Sequence, residues 1–107
     1  MKIAVPVLGP GPDLMMDERF GRARFFWIYD SNSKKGEVIE NPGYSAATAA
    51  GPAAVQTLKD AGVEVLLAAN VGPKARDMLV AAKIEYHEIE PQDAQKAVEA
   101  FLKSRGL

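Results

Sequence analysis

Apolar positions fall into two rhythms along the chain. Residues 2–7, Lys2-Ile3-Ala4-Val5-Pro6-Val7, form a short β-branched run that is apolar on both faces, which predicts a buried strand. Gly9, Pro10, Gly11 and Pro12 then interrupt any regular element, so residues 8–19 read as loop. Arg24 to Asp30 predicts a second strand, rich in aromatics at Phe25, Phe26, Trp27 and Tyr29. Ser31 to Gly36 is a polar turn, and Glu37 to Asn41 a third strand returning as a hairpin. After Pro42 and Gly43 the period lengthens. Ala54, Val55, Leu58 and Ala61 line one face of a helix over 51–61, with Gly62 to end it. Residues 63–69 predict an interior strand, 73–82 a second helix burying Ala75, Met78, Leu79 and Ala82, and 84–89 an alternating edge strand. A third helix over 92–104 turns Ala94, Val98, Phe101 and Leu102 inward.

The order is therefore β-β-β-α-β-α-β-α. Hairpins come first, and right-handed helical crossovers make the later strands parallel. The economical solution is a five-stranded mixed sheet of order 3-2-1-4-5 with strand 2 antiparallel and helices on both faces. This is the three-layer α/β/α, ribonuclease H-like topology. There is no internal repeat or linker, and 107 residues suit a single core, so one domain is expected over 1–107.

This topology collects several chemical groups at one sheet edge. The loop after strand 1 and the starts of the first two helices lie at the carboxyl ends of the strands, where open α/β sheets bind ligands. Both helices are expected to open on Gly-Pro, at Gly51-Pro52 and Gly72-Pro73, with proline at the first helical position. Free N–H groups at such starts favour anions, although Gly-Pro starts are also common structure. The loop adds Met15, Met16, Asp17, Glu18, Arg19, Phe20, Gly21 and Arg22. Arginine suits oxyanions and phosphate-like groups, and methionine thioethers suit soft metals. The plainer alternatives are that Arg19 and Arg22 pair with Asp17 and Glu18, and that Met15 and Met16 pack the loop.

Composition narrows the chemistry. There are no cysteines and a single histidine, His87, which removes disulfides, thiolate nucleophiles and thiolate-held clusters and leaves too few ligands for a protein-built zinc site. Lys plus Arg is 13 and Asp plus Glu 14, a net charge of −1, so no basic surplus points to nucleic acid. No run approaches the roughly 20 apolar residues of a membrane span, and the apolar start is too short for a signal peptide, so the expected location is cytoplasmic with no membrane partner.

The stretch Asp17-Glu18-Arg19-Phe20-Gly21-Arg22-Ala23-Arg24-Phe25-Phe26 resembles the hallmark of the dinitrogenase iron–molybdenum cofactor-binding family. So do Met1 to Val7, Asn41-Pro42, Ala50-Gly51-Pro52-Ala53-Ala54 and the segment from Gly62 to Ala75, in that order and spacing over about residues 1–90. The resemblance implies a ribonuclease H-like fold and a cytoplasmic, non-catalytic carrier related to nitrogenase cofactor carriers. It implies a non-covalently held cluster of the iron–molybdenum or molybdenum–copper–sulfur type, with a cluster-assembly or acceptor protein as partner. Carried over by position, the crevice falls on Arg19, Phe20, Gly21 and Arg22, with Asn70, Val71, Gly72 and Pro73 opposite and Ala50, Gly51 and Pro52 as a third wall. Relatives that carry cofactor often have His before Phe-Gly. Arg19 cannot ligate a metal, but it can hydrogen-bond sulfide or oxo groups.

Other functions find less support. A ribonuclease-type nuclease needs carboxylates on the central strands, and strand 1 has none. Gly43-Tyr44-Ser45-Ala46-Ala47 lacks the last glycine of a nucleophile elbow. His87 shares a strand face with Glu85 and reads as locally paired, and Trp27 reads as core beneath a helix. A protein-interaction or regulatory module with a vestigial or metabolite-binding crevice remains the alternative.

Overall fold

A computed structural model describes residues 1–46 and 48–107. Its strands are β1 (Lys2–Val7), β2 (Phe25–Asp30), β3 (Lys35–Glu40), β4 (Val65–Ala68) and β5 (Glu85–Glu88), and its helices α1 (Ala50–Asp60), α2 (Pro73–Ala81) and α3 (Ala94–Ser104). The sheet order is β3-β2-β1-β4-β5, as expected. β2 runs antiparallel to both neighbours, with Val5 opposite Trp27 and Trp27 opposite Val38. β4 runs parallel to β1, with Ala4 beside Leu66, and β5 runs parallel to β4, with Leu67 beside His87.

Strand alternation splits the core into two halves. Ala4, Phe26, Ile28, Leu66 and Ala68 face α1 and α2, meeting Ala54, Val55, Leu58, Ala75 and Leu79. Ile3, Val5, Val7, Trp27, Val65 and Leu67 face α3, meeting Ala94, Ala97 and Val98. Trp27 is buried there as expected, and its indole lies across β3, where a Cβ on Gly36 would come within 2.4 Å of Nε1.

Several boundaries differ from expectation, each for a local reason. β3 begins at Lys35, two residues early, because Lys34 takes the left-handed conformation (φ 58°) and turns the hairpin there. α1 begins at Ala50, one residue early, since Ala49 supplies the left-handed turn (φ 57°). Pro52 is thus the third helical residue, not the first, and is tolerated because N–H groups of the first turn lack helical acceptors anyway. α3 begins at Ala94, two residues late, because Asp93 caps it by accepting from the Lys96 N–H at 3.1 Å. A 3-10 turn at Pro42–Ser45, absent from the expectation, follows Asn41.

Residues 8–16 fold back along β1. Leu8 N–H donates to Met15 O, and Met16 forms an antiparallel bridge with Val7. That ribbon delivers the next residues to the carboxyl edge of the sheet.

Candidate functional site

The site grows from the end of that ribbon. Asp17 N–H donates to Pro6 O of β1 at 2.9 Å, which holds the Asp17 side chain in the interior. Its carboxylate accepts from Arg19 three times: from the main-chain N–H at 2.9 Å, and from Nε and Nη2 at 3.1 Å each. This hydrogen bonding, with the Asp17 charge, raises the Arg19 pKa above its ordinary value and keeps it a cation. The pairing alternative for Arg19 is therefore the observed one, with Asp17 as its partner.

Phe20 is buried against Phe26, with ring centroids 5.7 Å apart, and anchors the loop in the α1/α2 half of the core. Gly21 then rides directly on the first turn of α1. A Cβ there would lie 2.9 Å from Gly51 N and 3.0 Å from Gly51 Cα, so only glycine lets the two backbones approach this closely. Arg22 Nη1 donates to Ala46 O.

α1 and α2 converge beneath this loop. Gly51 faces Ala75, and a Cβ on Gly51 would be 3.4 Å from the Ala75 Cβ. Neither helix has a side-chain cap at its start, where Ala49 and Gly72 stand. The first helical hydrogen bonds are Ala53 N–H to Ala49 O and Arg76 N–H to Gly72 O. The N–H groups of Ala50 and Gly51, and of Lys74 and Ala75, precede them and have no acceptor within their own helices. Pro52 and Pro73 contribute no N–H.

The result is an open cleft of about 610 Å³ between the loop and the two helix starts. Arg19, Arg22 and Lys74 supply its positive charge, while Phe20, Ala49, Ala50, Pro52, Pro73 and Ala75 make its lining largely apolar. Gly21, Gly51 and Gly72 complete it.

Of the residues expected at the site, the structure brings together Arg19, Phe20, Gly21, Arg22, Ala50, Gly51, Pro52, Gly72 and Pro73. Four others stand apart from the cleft. Met16 pairs with Val7, so it shares that residue's face and is buried in the α3 half of the core. Met15 is exposed and bridges to Asp93 before α3. Asn70 braces the loop from outside, its Nδ2 donating to Glu18 O at 3.0 Å. Val71 is buried, and its N–H donates to Glu88 Oε2.

Sequence reasoning missed Ala49, Lys74 and Ala75. Lys74 carried a signal, since a residue directly after a Gly-Pro helix start lies in the first turn. Ala49 carried none, because alanine does not ordinarily adopt the left-handed conformation that it holds there. The reasoning also missed Asn41 as a structural member of the site. Its Nδ2 donates to Gly21 O at 3.1 Å and Ala23 O at 2.7 Å, and its Oδ1 accepts from Gly43 N–H at 3.0 Å.

No group of three or more His, Asp or Glu side chains among the described residues is placed to hold a metal ion. His87 lies on β5 and contacts Glu85, which also pairs with Arg105. No helix among the described residues is long and apolar enough to cross a membrane.

Fold and site define a five-stranded mixed α/β protein with a cationic, apolar-walled cleft at the carboxyl edge of its sheet. The chain belongs to the family described as dinitrogenase iron-molybdenum cofactor, whose model matches residues 1–104. It is 38% identical to the orange protein of Desulfovibrio gigas, solved in its apo form, with a TM-score of 0.90 over 96% of this chain and 88% of that one. A Thermotoga protein of the DUF35 family, solved by NMR, is 39% identical, with a TM-score of 0.82 over 97% of this chain and 89% of that one. An uncharacterized protein of Methanocaldococcus jannaschii is 24% identical over 98% of this chain and 88% of its own length.

Proposed function

We propose that this protein holds an anionic metal–sulfur cluster of the iron–molybdenum or molybdenum–copper type in the cleft. It acts as a non-catalytic cytoplasmic carrier between a cluster-assembly protein and an acceptor. The observation that carries this reading is the convergence of three cationic side chains and two uncapped helix starts on one largely apolar cleft. Helix starts and guanidinium groups favour anions. Apolar walls suit the polarisable faces of a sulfide-rich anion better than a strongly hydrated oxyanion. The volume lies within the ordinary range of roughly 300–1,000 Å³ for ligand pockets.

The lining fits such a cargo as a whole, held from outside. It contains no Cys, His, Asp or Glu and no Met, so no side chain there is a metal ligand of the usual kinds. The cluster arrives assembled, and Arg19, Arg22, Lys74 and the free N–H groups hydrogen-bond its sulfides. With no Ser, Thr, Cys, His or carboxylate in the lining, the protein in this reading binds and releases its cargo without reacting. Family membership and the likeness to the orange protein support this reading.

The test is an anaerobic titration with tetrathiomolybdate, followed by absorbance and calorimetry. Stoichiometric binding is expected, weakened about tenfold in Arg22→Ala and in Lys74→Ala, a loss of about 1.4 kcal/mol each. Equal affinity of wild type and both variants sinks the assignment of the cleft. Metal and acid-labile sulfide on protein purified anaerobically from its native host would then identify the cargo.

A further inference from the structure

A buried polar side chain is unfavourable unless its hydrogen-bonding atoms find partners. Among the described residues, the buried polar or charged side chains are Asp17 and Asn41, each 3% exposed. They come from different elements, the ribbon beside β1 and the end of β3, yet both are directed at residues 19–23. Asp17 takes the main-chain N–H and two guanidinium donors of Arg19. Asn41 takes the carbonyls of Gly21 and Ala23 with Nδ2. Its Oδ1 accepts from Gly43, and Gly43 packs directly under the same loop: a Cβ there would be 2.7 Å from both Gly21 O and Ala50 O. Loops are ordinarily the mobile parts of a fold. This one is gripped from beneath at both ends.

We propose that Asp17 and Asn41 are positioning residues of the cleft, which fix residues 19–23 against the start of α1 before any ligand arrives. Asp17 sets the guanidinium of Arg19, leaving the Nη1 donors for a ligand. Asn41 sets the backbone on either side of Arg22. Apparent affinity scales with the fraction of molecules already in the competent geometry, so a loosened loop weakens binding in proportion. The ligand in this inference is the one proposed above; the ordering of the loop is a property of the unliganded chain and is tested separately.

Asn41→Asp keeps the size and the acceptor for Gly43 but turns an acceptor toward two carbonyls. Asp17→Asn keeps the size but removes the charge that grips Arg19. In the unliganded proteins, amide exchange is read at the hydrogen-bonded Arg19 and Ala23 and ¹H–¹⁵N shifts also at Gly21 and Gly43, with Arg19 Nε as a side-chain probe and Val5, Ile28 and Leu66 as sheet references. The loop amides are expected to exchange at least about tenfold faster while the sheet amides stay within about twofold of wild type. Tetrathiomolybdate affinity is expected to fall at least about fivefold. Uniform acceleration of loop and sheet amides overturns the proposal, because it marks a general loss of stability. Unchanged loop amides overturn it too, as does full affinity in a variant with a loosened loop. If wild type does not bind tetrathiomolybdate, the cargo assignment fails, and the exchange data alone still decide the positioning role. If Asn41→Asp does not fold, Asn41→Ser and Asp17→Asn report on the same amides.

Discussion

All three helices start at the carboxyl edge of the sheet, but their first turns are finished in different ways. α3, on one face, is closed by the protein itself. Asp93 caps it through the Lys96 N–H, and the Ala94 N–H donates to Leu14 O at 2.7 Å. α1 and α2, on the other face, follow Ala49 and Gly72, neither of which gives a side-chain cap. The residues that would normally satisfy a helix start are missing only where the starts line the cleft. On the α3 face the chain closes the helix start with its own groups, and on the α1 and α2 face the first-turn donors have no side-chain acceptor, which is where the proposed cargo would bind.

The sharpest way to break this contrast is to cap α2. Gly72 has extended backbone (φ −68°, ψ 162°), as a capping residue does, and a Cβ there meets nothing within 4 Å. Gly72→Asp therefore fits without strain. Because glycine is already an acceptable cap residue, the gain in stability is only a few tenths of a kcal/mol. The new carboxylate takes the free N–H groups and adds negative charge at the cleft, so binding of tetrathiomolybdate should fall at least about tenfold, or about 1.4 kcal/mol. A slightly raised unfolding midpoint with unchanged binding would mean that the α2 start does not face the ligand.

The converse change removes the cap that exists. Asp93→Ala should cost about 1 kcal/mol of stability, read as a lower urea midpoint at constant m-value. Tetrathiomolybdate affinity should stay at the wild-type value, because α3 lies on the opposite face of the sheet. Lost binding at unchanged stability would mean that the two faces are coupled and the contrast is false.

Much of this arrangement could be read from the chain, and the failures have identifiable causes. β1 is buried from Ile3 onward and β4 throughout, and both are β-branched or leucine-rich, so their pattern allowed few alternatives, and the crossover rule then fixed the sheet order. Gly72-Pro73 marked the start of α2, and Gly51-Pro52 that of α1 to within one residue, because each is followed by apolar positions at helical spacing. The side of the sheet on which Met16 lands was not legible. A loop has no periodicity, and only the bridge to Val7 decides its face. The role of Asn41 was hidden for a similar reason. Its partners, Gly21 and Ala23, lie about twenty residues away and offer only backbone carbonyls, which any residue would offer. Asp17 and Arg19 are two residues apart, and their pairing was accordingly among the readings available from sequence.

The smallest expected effect concerns the other uncapped start. Ala49 holds the left-handed conformation at φ 57°, which disfavours any residue with a Cβ. Lys83 holds nearly the same conformation at φ 60°, in the turn before β5 and outside the cleft lining. Ala49→Gly relieves the Cβ clash but loosens the unfolded chain, two effects of opposite sign. The steric term is the larger where φ is positive, so the net gain should be up to about 1 kcal/mol, seen as a raised thermal midpoint. Lys83→Gly should give a similar gain, since the backbone problem is the same. Binding separates the two sites. Ala49 lines the cleft and directly precedes Ala50 and Gly51, whose donors leave the start of α1 in a fixed direction. If that direction depends on packing under Gly21 and Gly43, as their close contacts with Ala50 and Gly51 indicate, Ala49→Gly leaves affinity within about twofold of wild type. A larger loss in Ala49→Gly, with none in Lys83→Gly, would show that the Cβ of Ala49 itself holds the start of α1 in place.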